Sequence, residues 1–133
     1  MAAQLHPQNA DFELAVLSAA NTNWDGTGTI VDVVTGTASA KKEVYWITIT
    51  ATGTTTEGWI KFFSYDGTNT RFLCALKVAA GVPTATKRPW SYSGPVPGMP
   101  SGVIAIPGAT DKLQMATHIA ETFHVRAEWR NYV

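Results

Sequence analysis

The segment 123–130 most constrains the fold of this chain, because its side chains alternate between apolar and polar residues. Such alternation is the pattern of a β-strand with one face in a core and one face in solvent. The apolar set is Phe123, Val125, Ala127 and Trp129, and the polar set is His124, Arg126, Glu128 and Arg130. A strand of this kind needs hydrogen-bonding partners, so the rest of the chain must supply a sheet for it.

The same period recurs along the chain and predicts eight strands. They cover residues 13–20, 29–35, 43–52, 59–65, 71–78, 103–106, 112–117 and 122–129. The clearest hairpin has its turn at 66–69 (DGTN), where the Asp-Gly step tolerates the positive φ of a tight turn. No segment carries the 3.6-residue apolar stripe of an ordinary helix. The predicted fold class is all-β, an eight-stranded antiparallel β-sandwich that is jelly-roll-like.

Alternation also predicts which large side chains lie in the core. In strand 43–52 the predicted core face consists of Tyr45, Ile47, Ile49 and Ala51. Trp46 falls on the wetter face of that strand, whereas Trp59 and Trp129 are predicted to be buried. The lone cysteine, Cys74, shares a face with apolar neighbours, so we predict a buried structural thiol.

The length of 133 residues fits one domain. We assign residues 1–12 to an extended N-terminal arm and residues 13–133 to a single β-sandwich domain. Within this domain, residues 79–102 form a long loop that holds most of the prolines, and each proline removes a donor from a sheet ladder. The large side chains of Trp90, Tyr92 and Met99 favour a contact function for this loop over disorder.

Composition restricts the possible partners. Lys and Arg total 10, as do Asp and Glu, so the net charge is zero and no strong field attracts nucleic acid or an acidic membrane. A single cysteine rules out an intrachain disulfide and suits a reducing cytosol. Neither a signal peptide nor a membrane span is expected, because the N-terminus is polar and the apolar runs are short.

The sequence lacks a recognisable catalytic or metal-binding motif. No metal-ligand spacing occurs among His6, His118 and His124. The Asp-Gly-Thr sequences at Asp25 and Asp66 predict turns, because calcium loops need more carboxylates. A GxSxG nucleophile motif is missing, and the carboxylates predicted to point outward are Glu13, Asp32, Glu43 and Glu128. We therefore predict a non-enzymatic protein with no catalytic residue, no cofactor and no metal site.

Protein contact is the function that the remaining residues favour. Interfaces are enriched in Trp, Tyr, Met and Arg, and segment 87–92 (KRPWSY) contains several of these types. The candidate protein-contact residues are Leu5, Phe12, Arg88, Trp90, Tyr92 and Met99. In an alternative interpretation, Trp46, Trp90 and Tyr92 stack on sugar rings.

Three stretches carry a family resemblance that extends from about residue 21 to residue 129: NTNWDGTGTIVDVVTGT, TATGTTTEGWIKFFSYDGTNTRFL and QMATHIAETFHVRAEW. They resemble small auxiliary capsid proteins of tailed bacteriophages, also called decoration or cement proteins. Their motifs are turn-and-strand patterns rather than catalytic signatures. The ending 130–133 (RNYV) departs from the glycine-rich, acidic tail usual in that family.

The resemblance implies a virion structural protein on the outer surface of the capsid, made in the host cytoplasm. Its partners would be the major capsid protein, which it would clamp to neighbouring capsid subunits, and further copies of itself, with a trimer favoured and a dimer possible. Neither nucleic acid nor membrane is expected as a partner. The alternative is a carbohydrate- or receptor-binding module of a phage fibre or spike.

Overall fold

The computed structural model describes residues 11–20 and 30–132, and within them it contains nine β-strands and no helix. The strands are β1 (Asp11–Leu17), β2 (Val31–Thr35), β3 (Lys42–Ala51), β4 (Gly58–Tyr65), β5 (Thr70–Val78), β6 (Ser91–Gly94), β7 (Ile104–Ile106), β8 (Lys112–Thr117) and β9 (Phe123–Asn131). The all-β prediction is confirmed. The part of the chain that the structure describes has no helix that could cross a membrane.

The strands form two antiparallel sheets. The first has the order β1-β9-β3-β6, with β7 also paired to β3, and the second has the order β2-β8-β4-β5. Strand β6 pairs with the 47–50 part of β3 and β7 pairs with the 42–44 part. These two short strands therefore lie one after the other along β3 and share one position in the sheet. Each sheet thus has four strand positions.

One hydrophobic core cluster contains residues from both sheets, as in a β-sandwich. Its largest fully buried side chains include Phe62, Phe123, Leu17, Ile47, Ile49 and Ile60. The alternation predicted for the last strand is confirmed, because Phe123, Val125 and Ala127 are buried while His124 and Arg126 are exposed. Trp129 is half-buried and packs against the core.

A bulge in β3 corrects the predicted core face of that strand. In the pairing with β9 the register shifts between Val44 and Trp46, so Tyr45 is an extra residue. Val44 is completely buried as a result, whereas Tyr45 is only half-buried. Strict alternation assigned Tyr45 to the core and was wrong there, because a bulge reverses the parity of every residue before it.

The predicted hairpin turn is confirmed in its chemistry. Gly67 has a φ of 97°, and Asp66 Oδ1 accepts hydrogen bonds from the backbone N–H groups of Thr68 at 2.9 Å and Asn69 at 2.7 Å. These donors from Asn69 and Thr68 hold the pKa of Asp66 below its ordinary value. The side chain of Asp66 thus organises the β4–β5 connection.

Two other sequence predictions need correction. The loop predicted at 79–102 contains strand β6, whose Ser91 and Gly94 pair with Thr50 and Ile47 of β3. This strand was missed because prolines flank its four residues on both sides and hide the alternation. Trp59 was predicted to be buried but is 42% exposed, since it lies on the outward face of β4.

The boundary of the predicted N-terminal arm also shifts. Strand β1 begins at Asp11, so the last two residues of the predicted 1–12 arm belong to the sheet. The remainder of the arm, which includes the contact candidate Leu5, lies outside the described residues. In the second sheet, Cys74 is half-buried rather than fully buried, and burial raises the pKa of its thiol.

Candidate functional site

Strand β1 carries three exposed apolar side chains on its outward face, which we call the β1 row: Phe12, Leu14 and Val16. Their exposed fractions are 44%, 69% and 42%. Among the described strands, β1 is the first of its sheet and pairs only with β9. An apolar row along the outside strand of a sheet is the kind of surface through which proteins associate.

Charged residues of β9 border the β1 row. Phe12 lies opposite Glu128 in the ladder, and Leu14 lies opposite Arg126. The guanidinium of Arg126 stands 4.2 Å from the centre of the Phe12 ring, and its Nη2 lies 4.0 Å from Glu128 Oε1. The surface therefore combines an apolar strip with an adjacent cation and carboxylate, a combination common at protein interfaces.

The outward face of the first sheet continues to Trp46 on β3. Trp46 is 38% exposed and lies opposite Glu128. Its Nε1 donates a hydrogen bond of 3.0 Å to Ser93 Oγ on β6, which fixes the orientation of the ring. The predicted position of Trp46 on the wetter face is confirmed, and the aromatic ring extends the outward surface beyond the charged β9 stripe.

A half-buried ion pair between Lys42 and Glu13 anchors β1 on the side opposite to the β1 row. Lys42 Nζ lies 3.1 Å from Glu13 Oε2 and donates a 2.8 Å hydrogen bond to the Thr35 carbonyl. Thr35 N–H donates to Glu13 Oε1 at 3.2 Å, and Lys42 Nζ also lies 4.5 Å from the centre of the Trp129 ring. The prediction that Glu13 points outward is wrong. These bonds join β1, β2 and β3 and make a firm base for the β1 row.

No sequence signal identified Lys42 as a buried residue. Its side chain is only 7% exposed, although it follows another lysine in a charged stretch. A buried lysine requires a partner, and alternation cannot reveal that Glu13, 29 residues earlier in the chain, supplies it. The pair joins β1 and β3, two strands of the first sheet that β9 separates, so it depends on the strand order of the whole fold.

The predicted protein-contact residues Trp90 and Tyr92, in the segment 79–102, are only partly exposed. The Trp90 ring is half-buried and packs edge-on against Phe123 with 5.9 Å between centroids. Tyr92 is half-buried too, and its hydroxyl donates a 2.6 Å hydrogen bond to the Pro95 carbonyl. Desolvation, with a smaller effect of Cys74, raises the pKa of Tyr92. The two rings pack the loop against the core, so their first role is to stabilise the fold.

The predicted contact residues do not form one surface. Arg88 is exposed and borders, with Trp90, a small cavity of about 190 Å³. Met99 packs partly against the core. Phe12 lies on β1, at the opposite end of the sheet from β6, so it is separated from the loop candidates. Sequence reasoning found Phe12 but missed Leu14 and Val16, although alternation within 11–17 contained the signal.

A second exposed aromatic patch lies on the outward face of the other sheet. Phe72 is 57% exposed and contacts the Phe63 ring edge-on, with 6.0 Å between centroids. Lys61 Nζ lies 5.9 Å from the centre of the Phe72 ring. Trp59 is on the same strand as Phe63 and Lys61. The register shift between β4 and β5 leaves Leu73 without an opposite residue and turns Phe72 outward.

The carboxylates predicted to be outward serve as ion-pair partners. Asp32 accepts hydrogen bonds from Gln114 at 2.7 Å and Lys112 at 2.9 Å. Burial opposes ionisation of Asp32, but these two bonds outweigh it and hold its pKa below the ordinary value. Glu43 Oε1 accepts two hydrogen bonds from Arg130. Across residues 11–20 and 30–132, no group of three His, Cys, Asp or Glu side chains could hold a metal ion.

No protein-family model matches this chain, and no curated protein sequence matches it. The surfaces described above are therefore the basis for a functional proposal. Of these, the β1 row is the most exposed apolar strip on a strand that is anchored by buried polar contacts.

Proposed function

We propose that this protein is a non-enzymatic virion structural protein, a capsid decoration or cement protein that binds the outer surface of a phage head. The observation that carries the proposal is the β1 row, three exposed apolar side chains on one firmly held outer strand. Such a surface fits a protein partner, which buries apolar side chains and pairs with the neighbouring Arg126 and Glu128. The major capsid protein is the proposed partner.

Many modest contacts suit this role. Burying a side chain such as Leu14 contributes roughly 1.5–3 kcal/mol, and less where the free side chain is already half-covered. A repeating shell offers the same contact many times, and a protein that contacts two capsid subunits at once gains from the effective concentration of the second site. Residues 1–10 precede β1 in the sequence, and this arm is proposed to contribute to capsid attachment. Removing residues 1–10 should weaken capsid attachment, and unchanged attachment would exclude the arm.

We also propose that the sandwich is a jelly roll. Strand pairing is nested along the chain: β1 pairs with β9, β2 with β8, β3 with β6 and β7, and β4 with β5. A long antiparallel hairpin that is rolled up produces this order and gives two Greek keys. A crystal structure with a different chain path between the sheets would refute it.

Self-association into a trimer is the proposed assembly state, with a dimer as the alternative. Shell positions with threefold symmetry favour three copies, and a closed symmetric ring leaves no unpaired interface. Light scattering on the purified chain should give three times the mass of 14.3 kDa. A monomeric mass at capsid-like concentrations would contradict self-association and leave direct capsid attachment intact.

The first test uses purified protein and capsids that lack it, with co-sedimentation to measure occupancy. Leu14→Asp puts a charge into the most exposed position of the β1 row and should weaken attachment at least tenfold, since an unpaired charge at an apolar contact is costly. Thr50→Asp is the matched control, because Thr50 is also exposed on the outward face of the first sheet. Equal attachment of both variants would refute the proposed interface.

The alternative function is a carbohydrate- or receptor-binding module, in which Trp46, Trp90 and Tyr92 would stack on sugar rings. The three side chains do not form a common stacking surface. Trp46 is exposed on the outward face of the first sheet, whereas Tyr92 and Trp90 pack against the core. These rings therefore do not stack side by side. A polar cleft elsewhere in the molecule provides a different basis for sugar binding, and it does not depend on the capsid proposal.

A further inference from the structure

A cleft of about 440 Å³ opens between the β4–β5 hairpin and the β7–β8 connection. We call it the hairpin cleft. Small-molecule sites are commonly about 300–1,000 Å³, so its volume is sufficient for a ligand. It lies at the edge of the sandwich where β5 and β7 are the outer strands of their sheets, and it is separate from the β1 row.

The floor of the hairpin cleft is apolar and held in place. Leu73 and Met99 pack partly against the core, and Ile104 and Ile106 are buried. The turn that carries Met99 is closed by hydrogen bonds from Val96 N–H to the Gly102 carbonyl and from Gly102 N–H to the Met99 carbonyl, both 2.9 Å. The floor therefore exists before any ligand arrives, which reduces the ordering cost of binding.

The rim is polar and retains hydrogen-bonding capacity. Asn69, Arg71 and Asp111 line the cleft, and their side chains form no hydrogen bond or ion pair with another described side chain. Besides the backbone hydrogen bond from Asn69, the charge of Arg71 helps to lower the pKa of Asp66. Asp66 uses one carboxylate oxygen for the hairpin turn, and Tyr65 adds an aromatic ring. Donors and acceptors thus surround an apolar floor. A ligand that offers both hydroxyl groups and apolar ring faces would satisfy this set.

Charge decides which class of ligand fits. The lining contains two carboxylates, Asp66 and Asp111, and two cations, Arg71 and Lys112, so its formal charge is zero. Lys112 is already paired with Asp32 at 2.9 Å, and Asp66 accepts two backbone hydrogen bonds of the hairpin turn. Arg71 and Asp111, which are opposite in charge, are therefore the charged groups left for a ligand. An isolated anion or cation would gain little from such a lining. We propose that the hairpin cleft binds a neutral oligosaccharide, with Asn69, Arg71 and Asp111 bonding to its hydroxyl groups.

The cleft remains accessible if the β1 row is covered. In the first sheet β1 is the first strand and the pair β6 and β7 is the last, while in the second sheet β2 is first and β5 last. The β1 row and the hairpin cleft therefore lie at opposite edges of the sandwich. A particle decorated through β1 would present the cleft to the surrounding solution. Sugar binding would then belong to the outer surface of the assembled particle.

The test begins with the full chain on an array of neutral and anionic oligosaccharides. The strongest neutral binder on the array is then titrated by calorimetry and by amide-resolved NMR. The expected result is a neutral glycan whose addition shifts the amide signals of Tyr65, Asn69 and Arg71. Failure of every glycan, or binding of anionic glycans alone, would overturn the proposal. Shifts confined to the surface around Trp46 would overturn it as well.

Two cleft variants and a matched control complete the test. Arg71→Ala and Asp111→Ala should each weaken the titrated glycan at least tenfold, because each removes a hydrogen-bonding group from the rim. Lys77→Ala is the control, since Lys77 is a cation on the same strand as Arg71 but does not line the cleft. Unchanged affinity in both cleft variants refutes the site. Capsid co-sedimentation of Arg71→Ala should remain normal, which separates this test from that of the capsid interface.

Discussion

At the scale of single residues, the chain uses charge in two different ways. The Lys42–Glu13 pair has side-chain exposures of 7% and 29%, and it links three strands. The Lys77–Glu57 pair has exposures of 55% and 67% and joins two flexible side chains at the surface. The two pairs have similar N–O distances, 3.1 and 3.4 Å, but burial gives them different energetic weight.

Replacing Glu13 should therefore destabilise the fold. Glu13→Ala leaves the Lys42 ammonium buried with only part of its hydrogen bonding, and we expect a loss of about 2–3 kcal/mol, below the 3–5 kcal/mol typical of a fully buried pair. Glu57→Ala should change the free energy of unfolding by less than about 0.5 kcal/mol. Urea unfolding measures both. Similar losses of stability in the two variants would mean that burial of Lys42 does not determine how much the ion pair contributes to the free energy of unfolding.

The sequence predicted some residue positions and missed others for a definite reason. Alternation located Ile47, Ile49 and Phe123 in the core because a regular strand has a fixed parity. It failed at Tyr45, where a bulge changes that parity, and at Trp59, whose hydrophobicity suggested burial that its outward position prevents. Local pattern carries no information about bulges or about partners far away in sequence, such as Glu13 and Lys42.

At the scale of elements, the β4–β5 hairpin is the part that local sequence specifies best. The DGTN turn contains both the glycine that adopts positive φ and the aspartate that accepts two backbone hydrogen bonds. Strand β6 is the opposite case, because its four residues become a strand only through pairing with β3. The hairpin cleft combines both kinds of element, so only its Asp66 and Asn69 rim could be located from the sequence.

The hairpin turn should make stability depend on acidity. Because the folded pKa of Asp66 is lowered, its ionised carboxylate contributes stability that is complete above the unfolded pKa, near 3.8, and is lost as pH falls through the folded pKa. Asp66→Asn keeps an acceptor oxygen but cannot ionise, so its free energy of unfolding should fall less steeply below about pH 4. Asp32 and Glu121 have the same direction of shift and remain in both proteins. Parallel pH profiles would contradict the assignment.

At the scale of the whole molecule, one core must carry most of the stability, since the two sheets share it. Residues from β1, β3 and β9 meet residues from β2, β4 and β8, and the largest fully buried side chains include Phe62 and Phe123. The sequence predicted this two-sheet arrangement because antiparallel strands with alternating apolar residues have few other ways to bury one face. The order of strands within each sheet depends on long-range pairing, which the alternation of side chains does not specify.

A pair of phenylalanines tests this division between core and surface. Phe62→Ala removes a fully buried ring and should cost about 3–5 kcal/mol, which includes the cavity left behind. Phe72 lies on the neighbouring strand and is 57% exposed, so Phe72→Ala should cost less than about 1.5 kcal/mol. Thermal unfolding followed by circular dichroism compares them. Equal losses of stability in the two variants would mean that Phe72 is buried in an interface rather than exposed on the second sheet.

The pairing of β1 with β9 has a consequence for folding during synthesis of the protein. A nascent chain leaves the ribosome from its N-terminus, so β1, with its apolar row, emerges long before β9, its ladder partner. Among the described strands, β4 and β5 are the only two that are consecutive in the sequence and paired, so their hairpin can close early from local contacts. Until β9 is released, the backbone edge of β1 has no ladder partner, and another nascent chain can pair with it. The strand proposed to bind the finished shell is thus also a strand that needs protection from other chains during synthesis.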